Sequence, residues 1–239
     1  MRLLLDLGNT RLKWALQAQP DGWLARGAVD WQEGLATTLA SAWTGLPPPA
    51  RVIAASVVDA AREAQVAAVA ERLFACTPTW LRTPAQACGV RNAYAEPQRL
   101  GVDRFLAMVA AHADGRAPCV LAGVGTALTL DALAADGRHL GGLIAPGPRL
   151  MQQSLLDATA RVRPERPGEI VELADNTADA VASGCWQAAA ALVERFATRS
   201  AVRLGATPAL ILGGGDAAPL LPLLSLPAGL SQDGVLRGL

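Results

Sequence analysis

Histidine and cysteine are scarce in this chain, with two of the former and four of the latter. Cys76, Cys88, Cys119 and Cys185 show no CxxC spacing, which leaves no ligand set for a structural zinc site. Thiols scattered in this way fit a reducing cytosol. There is also no excess charge of either sign: 21 basic residues stand against 21 acidic ones, and no stretch concentrates Lys or Arg as a phosphate-backbone binder requires. Nor is there a long apolar run. The most apolar stretch, 117–130, contains Gly123 and Gly125 and meets Asp131, too short to cross a membrane. Leu3, Leu4 and Leu5 meet Asp6 before the core of a secretion signal could form. A cytoplasmic protein with neither a nucleic-acid nor a membrane partner is the expectation. At 239 residues the chain can hold one large domain or two small ones.

What the chain does have is a repeated pattern. Short strands are expected at 2–6, 11–17 and 23–29, separated by turn chemistry at Gly8-Asn9 and Pro20-Asp21-Gly22. A helix from about Glu33 to Trp43, a strand over 51–57 and a helix over 60–75 follow, the last with Val66, Val69, Ala70 and Leu73 on one face. The second half replays this order, with strands at 119–122, 128–132 and 139–144, then a helix from about Arg149. Gly123-Val124-Gly125-Thr126-Ala127 takes the place that Asp6-Leu7-Gly8-Asn9-Thr10 has in the first half, as an internal duplication of a hairpin would leave it. Between the halves, 83–100 lacks periodicity and reads as a functional loop, and a helix is expected over 102–113. An Ala-rich helix over 178–198 and a strand over 208–212 complete the pattern.

Four segments could carry chemistry. In Asp6-Leu7-Gly8-Asn9-Thr10-Arg11-Leu12-Lys13 a carboxylate at a strand end precedes a tight turn, and a cation follows on the next strand. Gly8 would let backbone N–H groups approach phosphate oxygens, Thr10 would add a hydroxyl and Lys13 a point charge. Asp6 would hold Mg²⁺, which takes few protein carboxylates and keeps its waters. The same residues also fit a plain hairpin with a solvated Lys13. The turn around Thr126, with Thr129 beyond it, could supply further donors or simply join two buried strands, and Asp131 fits a structural role better than a metal-assisting one. Gly213-Gly214-Gly215-Asp216 could accept a flat base against bare backbone, or merely end a strand. Finally, Asp103 could take a proton from an attacking hydroxyl and Arg104 could clamp an anion. On spacing alone, an Asp favoured by the helix dipole beside a surface Arg fits these two residues better.

Together these segments resemble the type III pantothenate kinases, of the acetate and sugar kinase/Hsp70/actin superfamily. The resemblance rests on DLGNTRLK, NAYAEPQRLGVDRF, GVGTALTLD, HLGGLIAPGPRLM, DNTADAVASG and VLRGL, six motifs in sequence order over most of the chain. It implies two similar actin-like (ribonuclease H-like) α/β domains, 1–115 and 116–239, with mixed sheets flanked by helices and a cleft between them. It implies ATP-dependent phosphorylation of pantothenate by a homodimer whose pantothenate pocket lies close to the subunit interface, with Mg²⁺ alongside ATP. Asp103 takes the place of the catalytic base. Tyr94, Gly101, Val102, Arg104 and Thr177 take the places of pantothenate contacts, Thr177 also suiting a helix N-cap. Asp6 to Lys13 correspond to the ATP phosphate loop, and Thr126 to its partner in the second domain. One position departs from the pattern. Gly123 stands where the family commonly has an Asp linked to potassium or ammonium, so a monovalent-cation site built in the usual way is not expected, although backbone carbonyls could still bind such an ion. The alternatives left open are another small-molecule kinase of the superfamily and a catalytically silent relative acting through protein contacts.

Overall fold

A computed structural model describes residues 1–19, 22–31, 34–159 and 162–239. Pro20, Asp21 and Glu33, which the sequence reading placed in a turn and at a helix start, lie outside the described residues.

Strand β1 (Arg2–Leu7) is apolar on both faces because it is the central strand of its sheet. It pairs antiparallel with β2 (Arg11–Gln19), which pairs antiparallel with β3 (Gly22–Asp30). On its other side it runs parallel to β4 (Arg51–Ser56), and β4 runs parallel to β5 (Thr79–Leu81), giving the order β3-β2-β1-β4-β5. The period of two divides the side chains. Leu3, Leu5 and Leu7, with Leu12, Trp14 and Leu16 of β2, face helices α1 (Leu35–Trp43) and α2 (Ala60–Phe74) in one core. Leu4 and Ala15 face the other way and pack with Leu236. Helix α2 starts where Asp59 accepts a hydrogen bond from the Arg62 N–H at 2.9 Å.

The expected loop over 83–100 holds two short strands, β6 (Gln86–Ala87) and β7 (Val90–Arg91), and one turn of 3₁₀ helix at Pro97–Arg99. Cys88 and Gly89 both take positive φ between these strands, a geometry that no hydrophobic period announces. Helix α3 (Val102–Ala113) falls where the sequence placed it.

The second sheet has the order β10-β9-β8-β11-β12, built from β8 (Cys119–Val124), β9 (Ala127–Leu133), β10 (His139–Pro146), β11 (Ala209–Gly213) and β12 (Ala228–Leu230). It reproduces the first sheet strand for strand, antiparallel through β10-β9-β8 and parallel through β8-β11-β12. Helix α4 (Pro148–Ala158) follows β10. Helix α5 (Thr177–Leu204) lays Trp186, Ala189, Ala190, Val193 and Ala197 on Val120, Ala122, Leu128, Leu130 and Leu212. It runs six residues past the expected end and stops at Gly205, whose left-handed backbone (φ 68°) closes the helix. Helix α6 (Ala217–Leu220) follows β11, and α7 (Gly234–Gly238) ends the chain.

By compactness, the first unit comprises residues 1–87, 94–110 and 233–239, and the second 88–93 and 111–232. No helix among the described residues is long and apolar enough to cross a membrane.

Candidate active site

Asp6 occupies the same face of β1 as Leu4, so alternation turns it away from the α1/α2 core. Across the sheet it stands opposite Lys13 on β2 and Ala55 on β4. Ala55 packs with Val102 and Leu106 of α3, near Val235 and Leu239. The α3 and α7 segments thus gather on the Asp6 face. The consequence is electrostatic. Asp6 is 8% exposed, and burial pushes its carboxyl from the ordinary 3.8 up to about 7; Lys13 pulls it back down, while the charges of Asp103 and Asp233 push it further up. Three carboxylates and the only lysine of the whole chain therefore share one region. A carboxyl perturbed in this way, buried among other charges, marks a candidate functional site.

The turn after β1 is closed by the Gly8 N–H donating to the Arg11 carbonyl at 3.1 Å. Asn9, Thr10 and Arg11 are exposed, and Arg11 pairs with Asp30 at 3.2 Å. The side chains of Leu7 and Leu12 are fully buried in the core, so these two residues can offer a ligand only their backbone.

At the start of α3, Val102 is buried and Asp103 accepts the Arg104 N–H at 2.8 Å through Oδ1. Arg104 is not the surface residue that spacing favoured: it is 7% exposed, and its Nη1 donates to the Tyr94 hydroxyl at 3.3 Å. A guanidinium held this way has its fork fixed before any anion arrives. Gly101 is required by the Asp103 carboxylate, because a Cβ there would lie 2.5 Å from Oδ1. The segment before it is anchored by Thr83, whose hydroxyl donates to the Leu100 carbonyl at 2.6 Å.

In the second unit, the turn after β8 has the Gly125 N–H donating to the Ala127 carbonyl at 3.1 Å, one residue tighter than the Gly8 turn closed on Arg11. The exposed Thr126 gives its carbonyl to the Gly147 N–H at 2.8 Å, and a side chain on Gly147 would collide with the Gly125 carbonyl. Gly214 (φ 97°) lies against the Val124 backbone, which also accepts the Asp216 N–H at 3.1 Å. The glycine run at 213–215 thus packs onto the end of β8. Arg149 reaches Asp216 at 2.8 Å. At Gly123 a Cβ would lie 2.6 Å from the Thr129 hydroxyl. Asp131 is buried against His139 at 2.9 Å, and the Ala93 N–H approaches the other ring nitrogen at 3.4 Å. An N–H pointing at Nδ1 requires a lone pair there, so the proton sits on Nε2, facing the carboxylate. That is a structural engagement for Asp131.

Thr177 is exposed and is the first residue of α5. The cap is Asn176, whose side chain accepts the Asp179 N–H at 3.0 Å. Asp179 is held well below the usual carboxylate range by the Arg166 guanidinium, bound at 2.9 Å through both oxygens, and by Asn176. The predicted residues Asp6 to Lys13, Tyr94 and Gly101 to Arg104 all belong to the first unit; Thr126 and Thr177 stand on different elements of the second. Asp233 and Trp31 carried no sequence signal, since their partners Arg26 and Gly8 lie far along the chain. Among the described residues, no group of three or more His, Cys, Asp or Glu gathers as a metal-ligand set.

Two mixed sheets of identical strand order, each flanked by helices and each opening on a glycine turn between its first two strands, define an α/β protein built of two matching units. The activator of the 2-hydroxyisocaproyl-CoA dehydratase from Clostridium difficile, solved with bound ADPNP, has this fold. It aligns over 99% of this chain and 90% of its own, with a TM-score of 0.53 at 11% identity. The family model for type III pantothenate kinase matches residues 2–199. A type III pantothenate kinase of Xanthomonas campestris pv. campestris is 44% identical over 221 residues, 92% of this chain and 88% of that protein. One of Aromatoleum aromaticum is 40% identical over 240 residues, 100% of this chain and 96% of that protein. The chain belongs to the type III pantothenate kinase family.

Proposed function

We propose that this protein transfers the γ-phosphoryl group of ATP to the primary hydroxyl of pantothenate, giving 4'-phosphopantothenate for coenzyme A synthesis. Family membership sets the reaction. The observation that carries the assignment of residues is the gathering of Asp6, Lys13 and Asp103 in one region of the first unit, with a preset Arg104 beside Asp103.

Phosphoryl transfer needs little covalent help from a protein; positioning and charge stabilisation dominate. The Asp6–Lys13 turn takes the ATP phosphates, with Lys13 as a point charge and the bare backbone at Gly8 admitting close approach. Thr126, on the matching turn, has the corresponding role in the second unit. Mg²⁺ would be held by Asp6 together with water and phosphate oxygens, and supplies the charge that offsets the one developing in transfer. Asp103 accepts the hydroxyl proton of pantothenate, Arg104 binds its carboxylate, and Tyr94 and Thr177 orient it. A homodimer in the cytoplasm completes the reading, and any potassium or ammonium would have to be held by backbone carbonyls, since Gly123 offers no carboxylate.

Coupled measurement of ADP release with and without pantothenate tests this. Release should depend on pantothenate and on no sugar or acyl acid in a substrate panel; pantothenate-independent release, or a preference for another acceptor, would overturn the assignment. A second test uses Gly101. Gly101→Ala forces the Asp103 carboxylate to move while the backbone keeps its shape, so kcat should drop about 10- to 100-fold, the cost of a misplacement near 1 Å. The melting temperature and the KM for ATP should stay near those of the parent. Equal loss of ATP affinity would show that Gly101 serves the fold and not the placement of Asp103.

A further inference from the structure

We propose that Trp31 is a positioning residue for the phosphate-holding turn, fixing the direction in which that turn presents its backbone N–H groups. The inference rests on the reading of Asp6–Lys13 as the ATP phosphate turn. Trp31 follows β3 and grips the turn at two points. Its main-chain N–H donates to the Thr10 carbonyl at 3.3 Å, and its ring Nε1–H donates to the Gly8 carbonyl at 2.6 Å.

The second bond matters most. A peptide unit is planar, with its C=O and N–H pointing in opposite directions. Holding the Gly8 oxygen on the indole therefore aims the Asn9 N–H away from Trp31. Gly8 has no side chain to restrain that peptide plane, and Asn9 and Thr10 are exposed, so the turn lacks packing of its own. The indole is itself held: the Arg62 guanidinium, in the first turn of α2, sits 5.2 Å from the ring centroid. Trp31 is only partly buried, so filling the core is an incomplete account of a residue that places its one polar atom on this carbonyl.

The test compares Trp31→Phe, which keeps an aromatic ring without the N–H, with Trp31→His, which retains a ring donor. Lys13→Ala serves as the reference for the turn. KM for ATP, KM for pantothenate, kcat and the Kd for ADP by calorimetry are measured for each, with melting curves. Trp31→Phe is expected to raise both the KM for ATP and the Kd for ADP about 2- to 10-fold, the equivalent of one hydrogen bond. Pantothenate KM and kcat should stay within about twofold, and Trp31→His should fall between Phe and the parent. If Lys13→Ala weakens nucleotide binding while Trp31→Phe does not, the clamp is refuted and the phosphate turn stands. If neither variant changes it, the reading of the turn falls, and the clamp with it. If both Trp31 variants unfold, or change both KM values alike, Trp31 is structural only and the proposal is lost.

Discussion

Asp103→Asn is expected to lower pantothenate-dependent turnover by at least about 10²-fold, the low end for loss of a general base. ATP should bind as before. The low end is the appropriate figure because phosphoryl transfer gains most of its rate from positioning and charge, which this change leaves in place. Asn has the shape of Asp, and its amide oxygen can still accept the Arg104 N–H, so the start of α3 is preserved. The fork of Arg104 on the Tyr94 hydroxyl is likewise untouched, so the KM for pantothenate should change little. What disappears is the basic oxygen and one of the negative charges that push Asp6 up. The Asp6 carboxyl should therefore ionise more readily in this variant, and Mg²⁺-dependent ADP affinity at pH 6.5 should equal or exceed that of the parent. Near-normal turnover would remove Asp103 from the role of base. Weakened ADP binding would contradict the electrostatic link between the two acids.

Much of this arrangement was legible in the sequence because the determinants are local. The apolar run at 2–7 and the Gly8 turn place Asp6 near the end of a buried strand, and the 3.6-residue period from Val102 places Asp103 in a first helical turn. The sheets' shared order was foreshadowed by the two glycine hairpins. Elements of three to five residues, β5, β12, α6 and α7, are too short to show a period, so they went unseen. Asp233 was lost with α7, although it adds to the charge around Asp6 and pairs with Arg26 at 2.6 Å. The burial of Arg104 was misjudged for a related reason. Spacing reports which face of a helix a residue takes, but not that Tyr94, ten residues earlier, returns to meet it. The expected N-cap moved from Thr177 to Asn176 because either side chain can accept that bond, and only the backbone geometry distinguishes them.

Asp6→Asn should produce two opposite effects, loss of activity by about 10²-fold or more and a more stable protein at pH 8. The activity loss follows from removing the carboxylate proposed to hold the metal at the ATP phosphates. The stability gain follows from linkage. Asp6 has its folded-state carboxyl raised to about 7 from 3.8. Below about pH 4 it is protonated in both states and costs nothing. Between 4 and 7 the unfolded chain releases the proton while the folded one retains it, so stability falls as pH rises, and above 7 the full cost of a buried charge is present. Asn carries no such charge. Its advantage should be absent near pH 4, grow through pH 5 to 7 and level off above, amounting to a few kcal/mol at most. Melting curves of both proteins across this range measure it. Mg²⁺ with ADP should close the gap at pH 8 by stabilising the parent and not the variant, since a ligand that binds only the folded state raises its stability. A variant no more stable than the parent at pH 8, or an advantage of the same size at pH 4, would mean that Asp6 is not the strained acid its surroundings make it. An advantage that persists in full with Mg²⁺ and ADP would separate the strain from nucleotide binding and leave Asp6 without its metal.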